Sequence, residues 1–164
     1  MDNAWYYGEL SRTAWLDSPL LSVPIAAYGQ KLVYHETGVD DDTTGVPVGM
    51  GSFIESSDFD IGDGHNFGFV WRMLPDLTFN GSTVTDPVVM LTTKARTGSG
   101  TNYVSAASPD VTRTSTIPIE QYTNQVYTRV RGRQMAFRIE SATVGVQWQL
   151  GAPRNDIRPD GRKT

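Results

Sequence analysis

The chain has 164 residues, a formal net charge of −4 and no cysteine. This length suits one domain with its own hydrophobic core, and the lack of cysteine excludes disulfides and thiolate metal sites as sources of stability. No run of residues is long and apolar enough to cross a bilayer, and the first residues lack the basic start and apolar run of a signal peptide. We therefore expect no membrane insertion.

Charge is distributed unevenly along the chain. Residues 1–128 contain 15 acidic and 6 basic residues, whereas residues 129–164 contain 3 acidic and 8 basic residues, so the two parts carry −9 and +5. Such asymmetry can orient subunits through complementary potentials or bring a basic edge near nucleic acid. It is equally typical of a solvated strand that is followed by a charged tail.

The first 45 residues are the most aromatic part of the chain. Two pieces, WYYGELSRTAWLD and PIAAYGQKLVYHETG, are each typical of a short strand next to a turn, and an acidic loop at residues 40–45 follows them. Aromatic side chains of this kind usually lie in a core or at a protein interface. Because the strands have no evident partner before the acidic loop, we expect either additional strands of the main domain or an arm that pairs with a neighbour.

From Gly51 onward, short runs of alternating apolar and polar residues recur between turns that contain glycine or proline. One predicted strand places Phe67, Phe69, Trp71 and Met73 on a single face. Another does the same with Val89, Leu91, Thr93 and Ala95. No stretch has a sustained apolar stripe with the helical period of 3.6 residues, so we expect little helix.

The last 33 residues, 132–164, combine two runs of alternating apolar and polar residues with a basic tail. QMAFRIES and TVGVQWQL are separated only by the segment 141–143, which predicts an antiparallel hairpin with both apolar rows on one side. Beyond Gly151 and Pro153, the segment 159–161 is typical of a turn within a projecting basic arm.

These elements predict an all-β fold, an antiparallel two-sheet sandwich of the jelly-roll kind, with a closed barrel as the alternative. We divide the chain into an N-terminal aromatic segment of strands or an arm, residues 1–45, and a β-sandwich domain with a basic C-terminal tail, residues 46–164. Trp71 and Trp148 alternate with polar neighbours, so we expect both in the core. If they were exposed, they could instead form a platform on which sugars stack.

No pattern in the chain predicts catalysis. His35 and His65 are far apart in sequence, and the chain has no Gly-x-Ser-x-Gly elbow, no HExxH and no phosphate loop. The best candidates for a metal site are the carboxylates of Asp58, Asp60 and Asp63, but their spacing departs from the EF-hand loop. We expect a protein that is not an enzyme and has no cofactor, with Ca²⁺ at these aspartates as the one alternative.

Arginines are the strongest candidates for a functional site. Arg129, Arg131 and Arg133 alternate along one predicted strand and share a face that Tyr127 extends. Three guanidiniums in a row require an anionic partner, which an acidic neighbouring subunit or DNA phosphates could supply. We favour a subunit interface. The same interface would include three arginines of the tail: Arg154, Arg158 and Arg162.

Six strings of the chain, taken in order, resemble the C-terminal part of the tail nozzle proteins of short-tailed bacteriophages, which are also called stabilisation or tail tubular proteins. The strings are WYYGELSRTAWLD, YHETG, ESSDFDIGDG, RMLPDLTFNGS, YTRVRGRQMAFRIES and GVQWQLGAPRNDIRPDGR. The resemblance covers nearly all of the chain. It implies a structural protein of the virion tail that is assembled in the host cytoplasm.

The resemblance also implies partners and an arrangement. Nozzle proteins form a ring of about six subunits below the head-to-tail adaptor, and the genome leaves through its channel. We accordingly expect a homo-oligomer that contacts other tail proteins (adaptor, nozzle or fibre) and meets DNA only in passage. Family members are longer and contain a β-propeller, so we expect either a split gene product or a shortened nozzle. The alternative function is a carbohydrate-binding β-sandwich of a tail fibre or receptor-binding apparatus.

Overall fold

The structure, a computed structural model, describes residues 9–62, 64–98 and 114–162. These residues contain only strands, turns and loops, and the named strands pair antiparallel, which confirms the all-β prediction. The strands are β1 Ala14–Leu16, β2 Ile25–Tyr28, β3 Lys31–Tyr34, β4 Asp40–Asp41, β5 Val48–Gly49, β6 Ser52–Glu55, β7 Asn66–Leu74, β8 Leu77–Thr78, β9 Val88–Arg96, β10 Thr114–Glu120, β11 Val126–Gly132, β12 Gln134–Ser141, β13 Gln149–Leu150 and β14 Arg154–Arg162.

Two sheets pack face to face and enclose the core. One has the strand order β10-β9-β12-β6 and the other has the order β11-β7-β14. Each of two clusters of buried side chains draws residues from both sheets: Met73 and Leu91 meet in the first, and Val70 and Met135 meet in the second. The predicted sandwich is therefore confirmed.

Strand β9 shows why the sequence folds in this way. Val89, Leu91, Thr93 and Ala95 are all buried, and the residues between them are less so. β-Branched and apolar residues with period two suit a strand that is covered on one face. The predicted inward row of this strand is confirmed.

Strand β7 departs from simple alternation. Val70 and Met73 are both buried, although they are three residues apart. The pairing of β7 with both neighbouring strands is irregular at Trp71, and such a bulge changes which side chains point inward. Trp71 is half-buried next to Tyr127, away from both core clusters. The prediction of a core position is therefore wrong for Trp71.

The hairpin predicted from residues 134–141 and 143–150 is also wrong. Both edges of β12 are already paired, one with β9 and the other with β6, so no edge remains for the following segment. Gly145 instead has a φ of +77° and its N–H donates to both carboxylate oxygens of Asp40, at 2.8 and 3.0 Å. Trp148 still packs against the core, as predicted, and its Nε1 donates to Ser52 Oγ at 2.9 Å.

The predicted basic arm is a strand within the sandwich. β14 pairs antiparallel with β7 from Arg154 to Arg162, with irregularities after Asp156 and after Pro159. Ile157 packs against the second core cluster. The residues 159–161, which were predicted to form a turn, instead lie at an irregularity of a paired strand. The expectation of a projecting tail is therefore wrong for residues 154–162. Lys163 lies outside the described residues.

The N-terminal strands pair with one another. β1, β2 and β3 form their own antiparallel sheet, so the expectation that they lack a partner among themselves is wrong. The boundary predicted after residue 45 falls in the turn between β4 and β5, which pair with each other. Because Asp40 in β4 accepts the hydrogen bonds from Gly145, this acidic turn is attached to the sandwich. Trp5, Tyr6 and Tyr7 lie outside the described residues.

Truncation of a core side chain tests this architecture. Ile139 is fully buried between the sheets, whereas its neighbour Ile54 on β6 is 44% exposed. Ile139→Ala should lower the free energy of unfolding by about 2–5 kcal/mol because it leaves a cavity. The matched control Ile54→Ala should lower it by about 1 kcal/mol or less. Urea denaturation measures both, and equal losses would contradict the placement of the core.

The outer face of the four-stranded sheet carries a charged network. Glu55 accepts hydrogen bonds from Lys94 Nζ at 2.8 Å and from Arg138 Nη1 at 3.1 Å, and Arg138 Nε donates to Glu140 at 2.8 Å. The hydrogen bond from Lys94, together with that from Arg138, lowers the pKa of the Glu55 carboxyl. A carboxyl whose pKa is lowered by folding stabilises the protein while it is ionised, and this contribution disappears as the pH falls through the folded-state pKa.

Glu55→Gln should therefore destabilise the protein in a pH-dependent way. At pH 7 we expect a loss of about 1 kcal/mol, because the network is partly exposed and screened by solvent. The difference from the wild type should begin to shrink below the ordinary carboxyl pKa of about 4.3 and should close as the pH falls through the lower folded-state pKa, where the folded wild-type carboxyl loses its charge. Thermal unfolding at neutral and acidic pH measures this. Glu120→Gln, at an exposed position on β10, is the control, and a difference that persists unchanged in acid would contradict the assignment.

Candidate functional site

The outer face of the β11-β7-β14 sheet gathers arginines and aromatic rings. We call this surface the arginine–aromatic face. Its members are Phe69, Trp71, Arg72, Tyr127, Arg129, Arg131, Arg154, Asp156, Arg158 and Asp160. β11 and β14, which are distant in sequence from β7, supply the two sides of this face. The face therefore exists only in the folded sheet.

Strand register places these side chains in rows across the sheet. Phe69 on β7 is the direct partner of Arg131 on β11 and of Arg158 on β14. Direct cross-strand partners lie on the same side of a sheet with their Cβ atoms about 5 Å apart. The row therefore places one aromatic ring between two arginines.

Aromatic rings hold several of the guanidinium groups in place. The Cζ atoms of Arg72 and Arg158 both lie 4.9 Å from the centre of the Trp71 ring. Those of Arg131 and Arg133 lie 4.0 and 5.5 Å from the Phe67 ring. Each such contact contributes about 0.5–1 kcal/mol at an exposed site, and more where the ring is buried.

Two aspartates of β14 pair with two of the arginines. Arg72 Nε and Nη2 both lie 2.5 Å from Asp156 Oδ2. Arg131 Nε forms an ion pair with the carboxylate of Asp160, and Arg131 Nη2 donates to the backbone oxygen of Asp160 at 2.8 Å. These arginines have lost much of their rotamer freedom before any partner arrives.

The arginines predicted from the sequence divide into two groups. Arg131 and Arg133 are engaged with Phe67, and Arg133 lies just beyond the end of β11. Arg129 and Arg154 are exposed, and neither has an ion-pair or ring partner among the described residues. Arg129, Arg131, Arg154 and Arg158 share the outer face of the β11-β7-β14 sheet. The backbone of Arg162 pairs with Asn66, but the position of its side chain is outside the description.

Sequence reasoning missed the aromatic half of this surface. Alternation places Trp71 and Phe69 on one face with the buried Met73, whereas both rings lie half-buried on the outer side of the sheet, and only Phe67 of this row is buried with Met73. The only available signal was the consecutive pair Trp71-Arg72 in a strand that otherwise alternates. A bulge can present two consecutive residues on one side, but alternation alone does not reveal where a bulge occurs.

The predicted calcium ligands do not share one environment. Asp58 forms an ion pair with Arg96, Asp60 is exposed, and Asp63 lies outside the described residues. Within the described part of the chain, no group of three or more histidine, cysteine or carboxylate side chains could hold a metal ion. The site therefore stays a prediction, and its Asp58 is already engaged with a cation.

The two histidines occupy separate places. His35 accepts a hydrogen bond from Arg12 Nε at 3.1 Å, and its ring centre lies 4.4 Å from that of Trp15. His65 is exposed in the turn that precedes β7. The expectation that the protein is not an enzyme stays a prediction.

Comparisons with known proteins give no family assignment. No protein-family model matches the chain, and no curated protein matches its sequence at a significant level. Within the described ranges, no helix has the length and apolar character required to cross a membrane.

Charge reversal at two neighbouring arginines separates residues that support the fold from residues that are free to bind. Arg131→Glu should lower the free energy of unfolding by about 1–2 kcal/mol, because it removes the Phe67 and Asp160 contacts and sets a carboxylate beside Asp160. Arg129→Glu should change it by less than about 0.5 kcal/mol. Chemical denaturation of the two variants checks this. An equal loss in both would show that Arg129 also supports the fold.

Proposed function

We propose that this chain is a structural component of a bacteriophage tail, either a nozzle protein or a protein associated with the tail tube. In this role it contributes to virion assembly and to the conduit through which the genome is ejected. It occupies the virion tail, is assembled in the host cytoplasm and contacts other tail proteins. The proposal combines the family resemblance of the sequence strings with the arginine–aromatic face.

The arginine–aromatic face is the observation that carries the proposal. Arginine, tryptophan and tyrosine are the residues that most often dominate the binding energy of protein interfaces. Here they lie on a sheet, where backbone pairing holds them, and ring contacts and ion pairs orient several of them. A surface that is ordered before binding costs less entropy when it meets a partner. This favours a permanent contact in an assembly.

The charge of the face favours a protein partner over DNA. Asp156 and Asp160 sit among the arginines and engage Arg72 and Arg131. Phosphates that approached the face would meet these carboxylates as well, whereas a protein surface can present both signs of charge in register. DNA is proposed to meet the protein only in passage through a channel.

Carbohydrate binding is the second proposal, because several aromatic side chains are exposed. Trp15, Tyr34, Tyr122 and Tyr127 each expose more than half of their surface. They lie in separate elements, and Trp15 already stacks with His35. Binding to a glycan array would favour this proposal over the structural one.

Analysis of purified phage particles tests the structural role. Particles produced from a genome that encodes this chain should contain its peptides in stoichiometric amount when analysed by mass spectrometry. Antibody labelling in electron micrographs should place it at the tail. A chain that is abundant in infected cells but absent from particles, or that is found only on the head, would contradict the proposal.

A further inference from the structure

A cleft opens at one end of the arginine–aromatic face. Its walls come from residues 74–77 at the end of β7 and in the corner that follows it, from the loop between β10 and β11, and from residues 152–154 at the start of β14. Leu74 and Arg154, which both line it, are direct cross-strand partners. We call it the Arg154 cleft. Its volume of about 320 Å³ suits a short piece of chain, since sites for small ligands begin at roughly 300 Å³.

The backbone around the Arg154 cleft is fixed by hydrogen bonds. Asp76, in the corner after β7, has a φ of +49°, in the left-handed region that residues other than glycine rarely adopt. Its backbone oxygen accepts from the Gly151 N–H at 2.8 Å, and its Oδ2 accepts from the Ala152 N–H at 2.6 Å. On the opposite wall, the Thr123 N–H donates to the Glu120 carbonyl at 3.0 Å, and the Glu120 N–H donates to Thr123 Oγ1 at 3.1 Å. The walls are therefore formed before a ligand arrives.

Three polar side chains that line the cleft have no partner within the described ranges. Gln121, Asn124 and Arg154 are exposed, and none of them forms a hydrogen bond or an ion pair with another described residue. The nearest carboxylate along β14, that of Asp156, is already paired with Arg72. The guanidinium of Arg154 is therefore open to an external anion, and two side-chain amides of the same cleft are open to hydrogen bonds.

The chemistry of these groups selects the ligand. A planar guanidinium fits a carboxylate through two parallel hydrogen bonds. Side-chain amides match the N–H and C=O groups of a peptide backbone, because each amide both donates and accepts. Asp76 adds an acceptor, since an ionised carboxylate that accepts one N–H has room for further donors. The ligand that fits this set offers a carboxylate together with N–H donors, and an acidic residue within a peptide offers both.

We propose that the Arg154 cleft binds an acidic residue of an extended peptide segment. The carboxylate of that residue pairs with Arg154, and the adjacent peptide groups pair with Gln121 and Asn124. The inference rests on the proposed tail function and deepens it, because the segment then belongs to a neighbouring tail protein that covers the arginine–aromatic face. The cleft fixes the position of that protein at one end of the face.

Two other ligands fit the cleft less well. The phosphates of nucleic acid bring negative charge and acceptors only, so they would pair with Arg154 but would be repelled by Asp76. An acidic sugar brings a carboxylate and hydroxyl groups. None of the described lining residues is aromatic, however, so the cleft offers no platform on which a sugar ring stacks. The observations therefore favour the peptide segment.

Titration of the full chain with a defined peptide tests the proposal. The probe is a heptapeptide with blocked ends in which serine alternates with glutamate, and its control has glutamine in place of glutamate. NMR spectra should show shifts of the backbone amides of residues 74–77, 121–125 and 151–154. The glutamate peptide should bind at least about tenfold more tightly than the glutamine peptide, because only glutamate forms a charge-assisted pair with Arg154.

Substitutions separate the Arg154 cleft from the rest of the face. Arg154→Gln should abolish the preference for glutamate, whereas Asn124→Ala should weaken the binding of both peptides by a similar factor. The matched control is Arg129→Gln, which should retain the preference, because Arg129 is also exposed on the same face but does not line the cleft. All three variants should melt near the wild-type temperature, since none of the replaced side chains has a hydrogen-bond or ion-pair partner within the described ranges.

Several results would overturn the proposal. They are equal binding of the two peptides by the wild type, no binding of either peptide up to about 10 mM, shifts that lie outside the cleft, and equal loss of preference in Arg129→Gln and Arg154→Gln. Tighter binding of glucuronate or of a single-stranded oligonucleotide in the cleft would also overturn it.

The titration and the analysis of phage particles fail separately. A chain that is present in particles but binds no peptide would remove only this inference. A chain that binds the glutamate peptide but is absent from particles would remove the tail function and leave the acidic-peptide site in place.

Discussion

The central position of β7 is the constraint on which the rest of the structure depends. β11 pairs along one edge of this strand and β14 along the other, so the second sheet of the sandwich exists only when the C-terminal segment returns to it. The inner side chains of β7 fill both core clusters, through Met73 in one and Val70 in the other. Its outer side chains form the centre of the arginine–aromatic face. Stability and the proposed contact surface are therefore built on one strand.

Much of the sandwich could be predicted because its strands alternate cleanly. In β9 and in the outward row of Tyr127, Arg129 and Arg131 on β11, period two was sufficient to assign faces. The all-β class followed from the lack of any helical stripe. These assignments depend only on local sequence, so they do not require knowledge of which strands pair.

The errors arose where distant segments compete for the same hydrogen bonds. Residues 144–148 alternate like a strand, but β9 and β6 already occupy both edges of β12, and the Asp40 carboxylate takes up the Gly145 N–H. The segment of β14 contains Pro159 and Gly161, which locally favour a turn, yet Ile157 reaches the core and the segment pairs with β7. The arginines of the candidate site could also be recognised from the sequence. The rings that orient them could not, because a bulge in β7 decides which way those rings point.

Cryo-electron microscopy of assembled phage tails would test most directly whether the arginine–aromatic face is a contact between proteins of the tail. Our account predicts that the outer face of the β11-β7-β14 sheet is covered by a neighbouring tail protein, with acidic side chains of that protein beside Arg129 and Arg154. A reconstruction in which this face is open to solvent, lines the channel or contacts DNA would contradict it.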